Sequence, residues 1–133
     1  MDINAVTFLI GRIMFGGFFI ASGLNHFTKR AMYTQYAASK HVPSPGASIV
    51  VSGLMLVLGG ASVLFGLWPR IGLVLILLFL ALVTPKMHNF WTISDPNQRM
   101  AETVNLMKNL ALFGAALLIQ GIWPASAPFT ISQ

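Results

Sequence analysis

IGLVLILLFLALV, Ile71–Val83, is thirteen consecutive residues without a polar side chain. Arg70 and Lys86 bracket fifteen uncharged positions around it. A soluble core in a chain of 133 residues needs nothing so uniformly apolar. Thirteen helical residues rise about 20 Å, short of a hydrocarbon core of roughly 30 Å. The helix is therefore expected to continue through Thr84-Pro85 to Trp91, because Ile71–Trp91 rises about 31 Å. A proline near the end of a membrane helix is tolerated with a kink, since threonine hydroxyls and neighbours re-satisfy the freed carbonyl. Lys86 then snorkels, Trp91 sits in the interfacial belt, and His88 lies at the membrane surface.

Composition agrees with a membrane protein. Hydrophobic residues make up 56% of the chain and charged residues 8%, with a mean hydropathy of +0.75. Globular domains carry about three times that share of charge. The pI of 10.3 does not indicate a nucleic-acid partner. No basic cluster is denser than Lys29-Arg30, and no solvated domain exists to carry one. A net charge of +5 reads instead as a topology signal and an attraction to anionic lipid. The chain has no cysteine, so it cannot exchange thiols or build a thiolate metal site.

Outward from the central segment, three further spans emerge, and the chain reads as a single domain, 1–133. The first span covers about 3–24. It lacks a basic n-region, since Asp2 is the only charge before Arg12, and is read as an uncleaved helix. The second covers about 47–67 and holds no charge; the third is 71–91; the fourth covers about 100–122 and ends at Trp123-Pro124. Gly16 and Gly23 lie seven apart, as do Gly53 and Gly60, so each pair shares a helix face and allows close approach. Trp68-Pro69-Arg70 is so short a link that spans two and three must form an antiparallel hairpin. The fold class expected is all-α: a four-transmembrane-helix bundle with antiparallel neighbouring spans. Residues 25–46 form a basic loop, in which 32–38 could be a short interfacial helix with Tyr33 and Tyr36 on one side. Residues 92–99 are polar, with Asp95-Pro96-Asn97 as a turn signal. Lysine and arginine counting puts loops 25–46 and 92–99 in the cytoplasm and both termini in the periplasm, in a bacterial inner membrane.

Polar residues collect at one membrane face. His26 ends span one, His88 and Trp91 end span three, and Glu102, Asn105, Lys108 and Asn109 open span four as a stripe entering the membrane. Glu102 would suit a first helical turn; Lys108 would not, and lies roughly 10 Å beyond the helix start. Only three acids exist, Asp2, Asp95 and Glu102. Arg12 and Lys108 cannot both find a buried carboxylate and need carbonyls, water, lipid headgroups or a ligand with acceptors. His26, His88 and Glu102 are metal-ligand types, but their spacing is no motif and no metal site is assigned. Asn105 and Asn109 suit hydrogen bonds between helices.

These residues, in order, resemble the DoxX family: Gly11-Arg12 with Gly16; Ser22-Gly23-Leu24 before His26-Phe27; Gly66-Leu67-Trp68-Pro69-Arg70; His88-Asn89-Phe90-Trp91; and Asn105-Leu106-Met107-Lys108-Asn109-Leu110 with Gly114. The resemblance covers about Gly11 to Leu118. It implies a four-helix membrane bundle and, by position, a polar set of Arg12, His26, His88, Trp91, Asn105, Lys108 and Asn109. One branch of the family resembles a subunit of a thiosulfate:quinone oxidoreductase; others are linked to redox and thiol homeostasis. Many members place a glutamate early in span two, near Leu56 of this chain, a departure that weakens a direct transfer of oxidoreductase activity.

The reading that follows is a redox-associated membrane subunit that binds quinone, or another small hydrophobic ligand, near the cytoplasmic face. Its ligand-binding set is Arg12, His26, His88, Trp91, Glu102, Asn105, Lys108 and Asn109. Lys108 and His88 would donate to quinone carbonyls, Trp91 and Phe90 would stack, and Glu102 would relay a proton. Catalysis by this chain alone is not expected, so a protein partner in a redox complex is implied. The alternatives are a non-catalytic scaffold, or a transporter using Arg12 and Lys108, which with four spans would need a dimer.

Overall fold

The structure, a computed structural model, describes residues 2–125, 127 and 129–131, so only part of the uncharged tail falls within it. The described residues form five α-helices and no strand. They are α1 (Ile3–Thr28), α2 (Arg30–Ser39), α3 (Pro45–Phe65), α4 (Pro69–Met87) and α5 (Pro96–Ile122), with a short 3-10 turn at Phe90–Thr92. Four segments are long and apolar enough to cross a membrane, Ile3–Thr28, Pro45–Phe65, Pro69–Thr92 and Pro96–Ile122.

Local chemistry sets the ends. Asp2 caps α1 by accepting from the Ala5 N–H at 2.7 Å, and Asp95 caps α5 by accepting from the Gln98 N–H at 2.9 Å. Proline occupies the first turn of α3, α4 and α5, where its missing N–H costs nothing. Two expectations are corrected here. The helix through Ile71–Val83 stops at Met87 and does not run to Trp91. Pro85 removes one backbone donor, His88 leaves helical geometry at φ −114°, and Phe90–Thr92 turns separately. Helix α5 begins at Pro96 rather than near Met100. Glu102 is therefore beyond the first turn, and Lys108, twelve residues from Pro96, sits about 18 Å along the helix.

Contacts between α1 and α3 run in opposite order along the two helices. Arg12 meets Val63 and Leu64, Gly16 meets Gly60, and Gly23 meets Gly53. The two glycine pairs face each other. A Cβ added at Gly16 would lie 2.7 Å from the Gly60 carbonyl oxygen, and one at Gly23 would lie 2.8 Å from that of Gly53. Backbones in such contact replace the hydrophobic drive that helices lack inside lipid with close packing. Helix α4 joins the other side of α3 through Gly59, Gly72 and Ile76, and α5 joins α4 where Asn109 donates to the Thr84 hydroxyl at 3.2 Å. The turn between α3 and α4 uses Gly66 at φ 64° and is tied by the Ser62 hydroxyl, which reaches the Leu67 and Trp68 carbonyls at 2.6 and 2.9 Å. The apolar core includes Phe15, Phe19, Leu56, Val63, Leu73, Ile76, Leu80 and Ala116. Helix α2 lies against α1 and α3 at the end where α1 finishes and α3 begins.

Candidate functional site

Below α2 the four long helices part around a cavity of about 800 Å³. Its size is within the roughly 300–1,000 Å³ that small-molecule sites occupy. Its walls are mostly apolar: Phe18, Phe19, Ile49, Met55, Phe79 and Leu112 are among them. Polar groups come from Ser22, His26, Tyr33, Tyr36, Ser48, Ser52, His88 and Asn109, and from the exposed Lys86 and Lys108.

Each polar group has a definite posture. His26 is buried, and its Nδ1 donates to the Ser22 carbonyl at 2.8 Å. A carbonyl can only accept, so in the neutral ring Nε2 keeps a bare lone pair. The Tyr33 ring packs edge-on against His26 at 5.0 Å, and Phe79 at 6.1 Å. Lys108 extends from α5 with its ammonium 5.9 Å from the Phe18 ring centre, a cation–π distance. Asn109 is buried and spends its amide N–H on Thr84.

Glu102 ties this end of the molecule together. Its Oε2 pairs with His88 Nδ1 at 2.6 Å, and its Oε1 accepts from the Tyr36 hydroxyl at 2.5 Å. The same hydroxyl lies 3.2 Å from the Met87 carbonyl. Partial burial, then the hydrogen bond and charge of Glu102, hold Tyr36 well above the usual tyrosine range. One carboxylate thus joins α2, α4 and α5. Lys40 adds a second tie, donating to Asn89 Oδ1 at 2.6 Å. Helix α2 is a roof strapped down along the side that faces α4 and α5.

Of the eight residues singled out from the sequence, His26, His88, Lys108 and Asn109 line the cavity, and Glu102 stands behind His88 and Tyr36. Asn105 and Trp91 do not line it; Trp91 is exposed and stacks edge-on against Phe90 at 5.4 Å. Arg12 lies at the other end of the bundle. Its Nε donates to the Val63 carbonyl at 3.0 Å, and its Nη2 to those of Leu64 and Phe129 at 2.9 and 3.3 Å. The guanidinium lies 5.0 Å from the Trp123 ring centre. It is thus a buried cation at the C-terminus of α3, where exposed carbonyls and the helix dipole favour one, and it also anchors the tail. Arg12 and Lys108 do not share a site, which removes the geometric basis for a common anion path. Tyr36 is the functional candidate that sequence reasoning passed over. The signal was present in the three-residue spacing of Tyr33 and Tyr36. Leu56, the span-two residue singled out from the sequence, is fully buried in the core.

Comparison with known proteins is narrow. The DoxX family model matches residues 7–89, more than half of the chain, from α1 to the end of α4. No curated protein and no solved structure gives a match.

Proposed function

The chain belongs to the DoxX family of membrane proteins, and on that premise we propose that it is a redox-associated subunit of a bacterial inner membrane that binds the ring head of a quinone in the cavity beneath α2. The observation that carries this is the pairing of Lys108 and His26 on the walls of one largely apolar cavity. Lys108 offers donors to a quinone carbonyl. The Nε2 lone pair of neutral His26 offers an acceptor to a quinol hydroxyl. A head that gains hydrogens on reduction meets a partner for each form. Phe18, Phe19 and Phe79 supply flat apolar surface around it.

When bound, the quinone supplies the electron-pair chemistry. The chain's own residues hold the head, exclude water and handle protons. His88 and Tyr36 line the cavity and share Glu102. That carboxylate holds the imidazole proton on Nδ1 and turns Nε2 away from itself, the arrangement that readies a histidine for general acid–base work. In this reading electrons come from a protein partner in a redox complex; the chain has no cysteine with which to exchange thiols itself. The face carrying α2 is cytoplasmic, because Lys29, Arg30, Lys40, Lys86 and Arg99 gather there.

A photoreactive benzoquinone added to the purified protein, followed by peptide mapping, tests this reading. Labelling should concentrate on α1 near Ser22–His26 and on α5 near Lys108–Leu112, and fall at least several-fold in Lys108→Ala. Labelling spread evenly over the lipid-facing surface, and unchanged by that substitution, would contradict it.

A further inference from the structure

The cavity has an apolar side whose form suggests how it is filled. Helices α3 and α4 are pinned together near their shared turn. A Cβ at Gly59 would lie 2.9 Å from the Gly72 carbonyl oxygen and from Ile76, and one at Gly72 would lie 2.4 Å from the Ser62 side chain. Continuing the Gly59–Ile76 register toward α2 brings Met55 level with Leu80, Ser52 with Val83, and Ser48 with Met87. All six of these residues line the cavity, so the two helices diverge from their hairpin turn and the cavity fills the space between them. Val51 and Leu82 stand at the same level and also line it, yet they are 57% and 69% exposed. Residues that both line a cavity and face the surroundings mark its openings: Phe18, 43% exposed, and exposed Lys108 mark one beside a cation on the α1–α5 side, and Val51 and Leu82 mark an apolar one between α3 and α4. The α3–α4 opening lies within two segments that are long and apolar enough to cross a membrane.

The opposite route is obstructed. A ligand arriving from water past α2 would have to part Tyr36 from Glu102 and Lys40 from Asn89. Buried His26 on α1 and exposed Lys108 on α5 place hydrogen-bonding groups on one side of the cavity, while the α3–α4 side offers Val51, Met55, Leu82 and Val83, with Ser48, Ser52 and Lys86 toward its α2 end. Polarity therefore runs across the cavity, from the hydrogen-bonding side at His26 and Lys108 to the apolar level of Val51 and Leu82.

We propose that the cavity is filled from within the bilayer, through the cleft between α3 and α4, by a lipid-dissolved amphipath with one long apolar tail. Its ring head lies between His26 and Lys108, and its tail leaves between Val51 and Leu82. This rests on the quinone reading of the cavity and adds to it the tail, the door and the direction of entry. A tail that stays in lipid loses little hydration on binding, and the head exchanges headgroup-level contacts for Lys108 and the His26 lone pair. Val51 and Leu82 serve as positioning residues at the mouth; they touch the tail and not the reacting head.

The absence of cysteine makes the test clean. Val51→Cys and Leu82→Cys are introduced together and bridged by a bismaleimide whose spacer contains a reducible disulfide; each single variant, treated identically, is the control. The proteins are reconstituted in vesicles. Two probes are used, a benzoquinone with a long isoprenoid tail and the same ring without a tail, with binding expressed per mole of lipid-dissolved quinone. The proposal predicts that the tailed probe binds at least tenfold more tightly, that bridging slows its exchange at least tenfold, and that cleaving the spacer restores the rate. Equal binding of the two probes, or exchange unaffected by the bridge, would overturn lateral entry while leaving head binding in place. Failure of both probes to bind the unbridged protein would overturn the quinone reading and lateral entry with it.

Discussion

Gly60→Ala tests the packing that holds the site's walls. The added Cβ would lie 2.7 Å from the Gly16 carbonyl oxygen, 2.9 Å from the Ile20 nitrogen and 3.0 Å from Ile20 Cγ1. Ordinary contact begins at 3.4 Å, so α1 must retreat by about 0.7 Å along this direction. Two of the three obstacles are backbone atoms, which no rotamer change can relieve. Overpacking of this kind costs about 1–3 kcal/mol, and the expected loss lies in the upper half of that range because a whole helix must shift. Gly114→Ala is the matched control. Nothing lies within 4 Å of a Cβ there, and an alanine in a helix is favoured over glycine by about 0.5–1 kcal/mol. Gly16→Ala presses on the same seam from the other side, so the double variant should cost clearly less than the two single losses together. Unfolding of the purified protein by denaturant titration in mixed micelles reads all four. Equal stability of Gly60→Ala and Gly114→Ala would refute the account of the seam, and strict additivity of Gly16→Ala with Gly60→Ala would refute the shared contact.

Three further outcomes follow from the geometry. Arg12→Lys should destabilise by about 2–3 kcal/mol, read by the same titration, because one ammonium cannot reach the Val63, Leu64 and Phe129 carbonyls together and each charge-assisted bond is worth about 1.5–3 kcal/mol; an unchanged midpoint would deny its capping role. Asn109→Leu should cost about 1 kcal/mol by loss of the Thr84 bond, whereas Asn105→Leu should cost much less in parallel thermal melts, and the reverse order would contradict the placement of α5. The raised Tyr36 pKa means that above about pH 10 the unfolded chain has lost a proton that the folded chain keeps, so stability should fall as pH rises through that region; the slope should be shallower in Tyr36→Phe, and an identical slope would separate Tyr36 from Glu102.

The four spans were legible because membrane insertion reads a one-dimensional property, and Ile71–Val83 alone sets the class. Span ends were less legible, because single backbone groups decide them. Asp95-Pro96 reads equally well as a turn or as a helix cap, and only the bond from Gln98 N–H to Asp95 distinguishes the two. The seven-residue glycine spacing announced a close approach but could not say that Gly16 meets Gly60 and Gly23 meets Gly53. At the site, counting loops placed His26, His88, Glu102 and Lys108 at one end of the bundle. Arg12 could not be assigned that way. A cation twelve residues into a chain looks the same whether it waits for a ligand or caps the helix that packs beside it. The spacing of Tyr33 and Tyr36 put both on one side of a short helix, but it could not join Tyr36 to Glu102, sixty-six positions away.

The most direct measurement is native mass spectrometry of the protein released from its own membrane in mild detergent, with Lys108→Ala run beside it. The account predicts a discrete added mass matching a quinone on the unaltered protein and its loss or marked reduction in the variant. A bare chain in both samples, or only phospholipid or protein subunits bound equally to each, would contradict it.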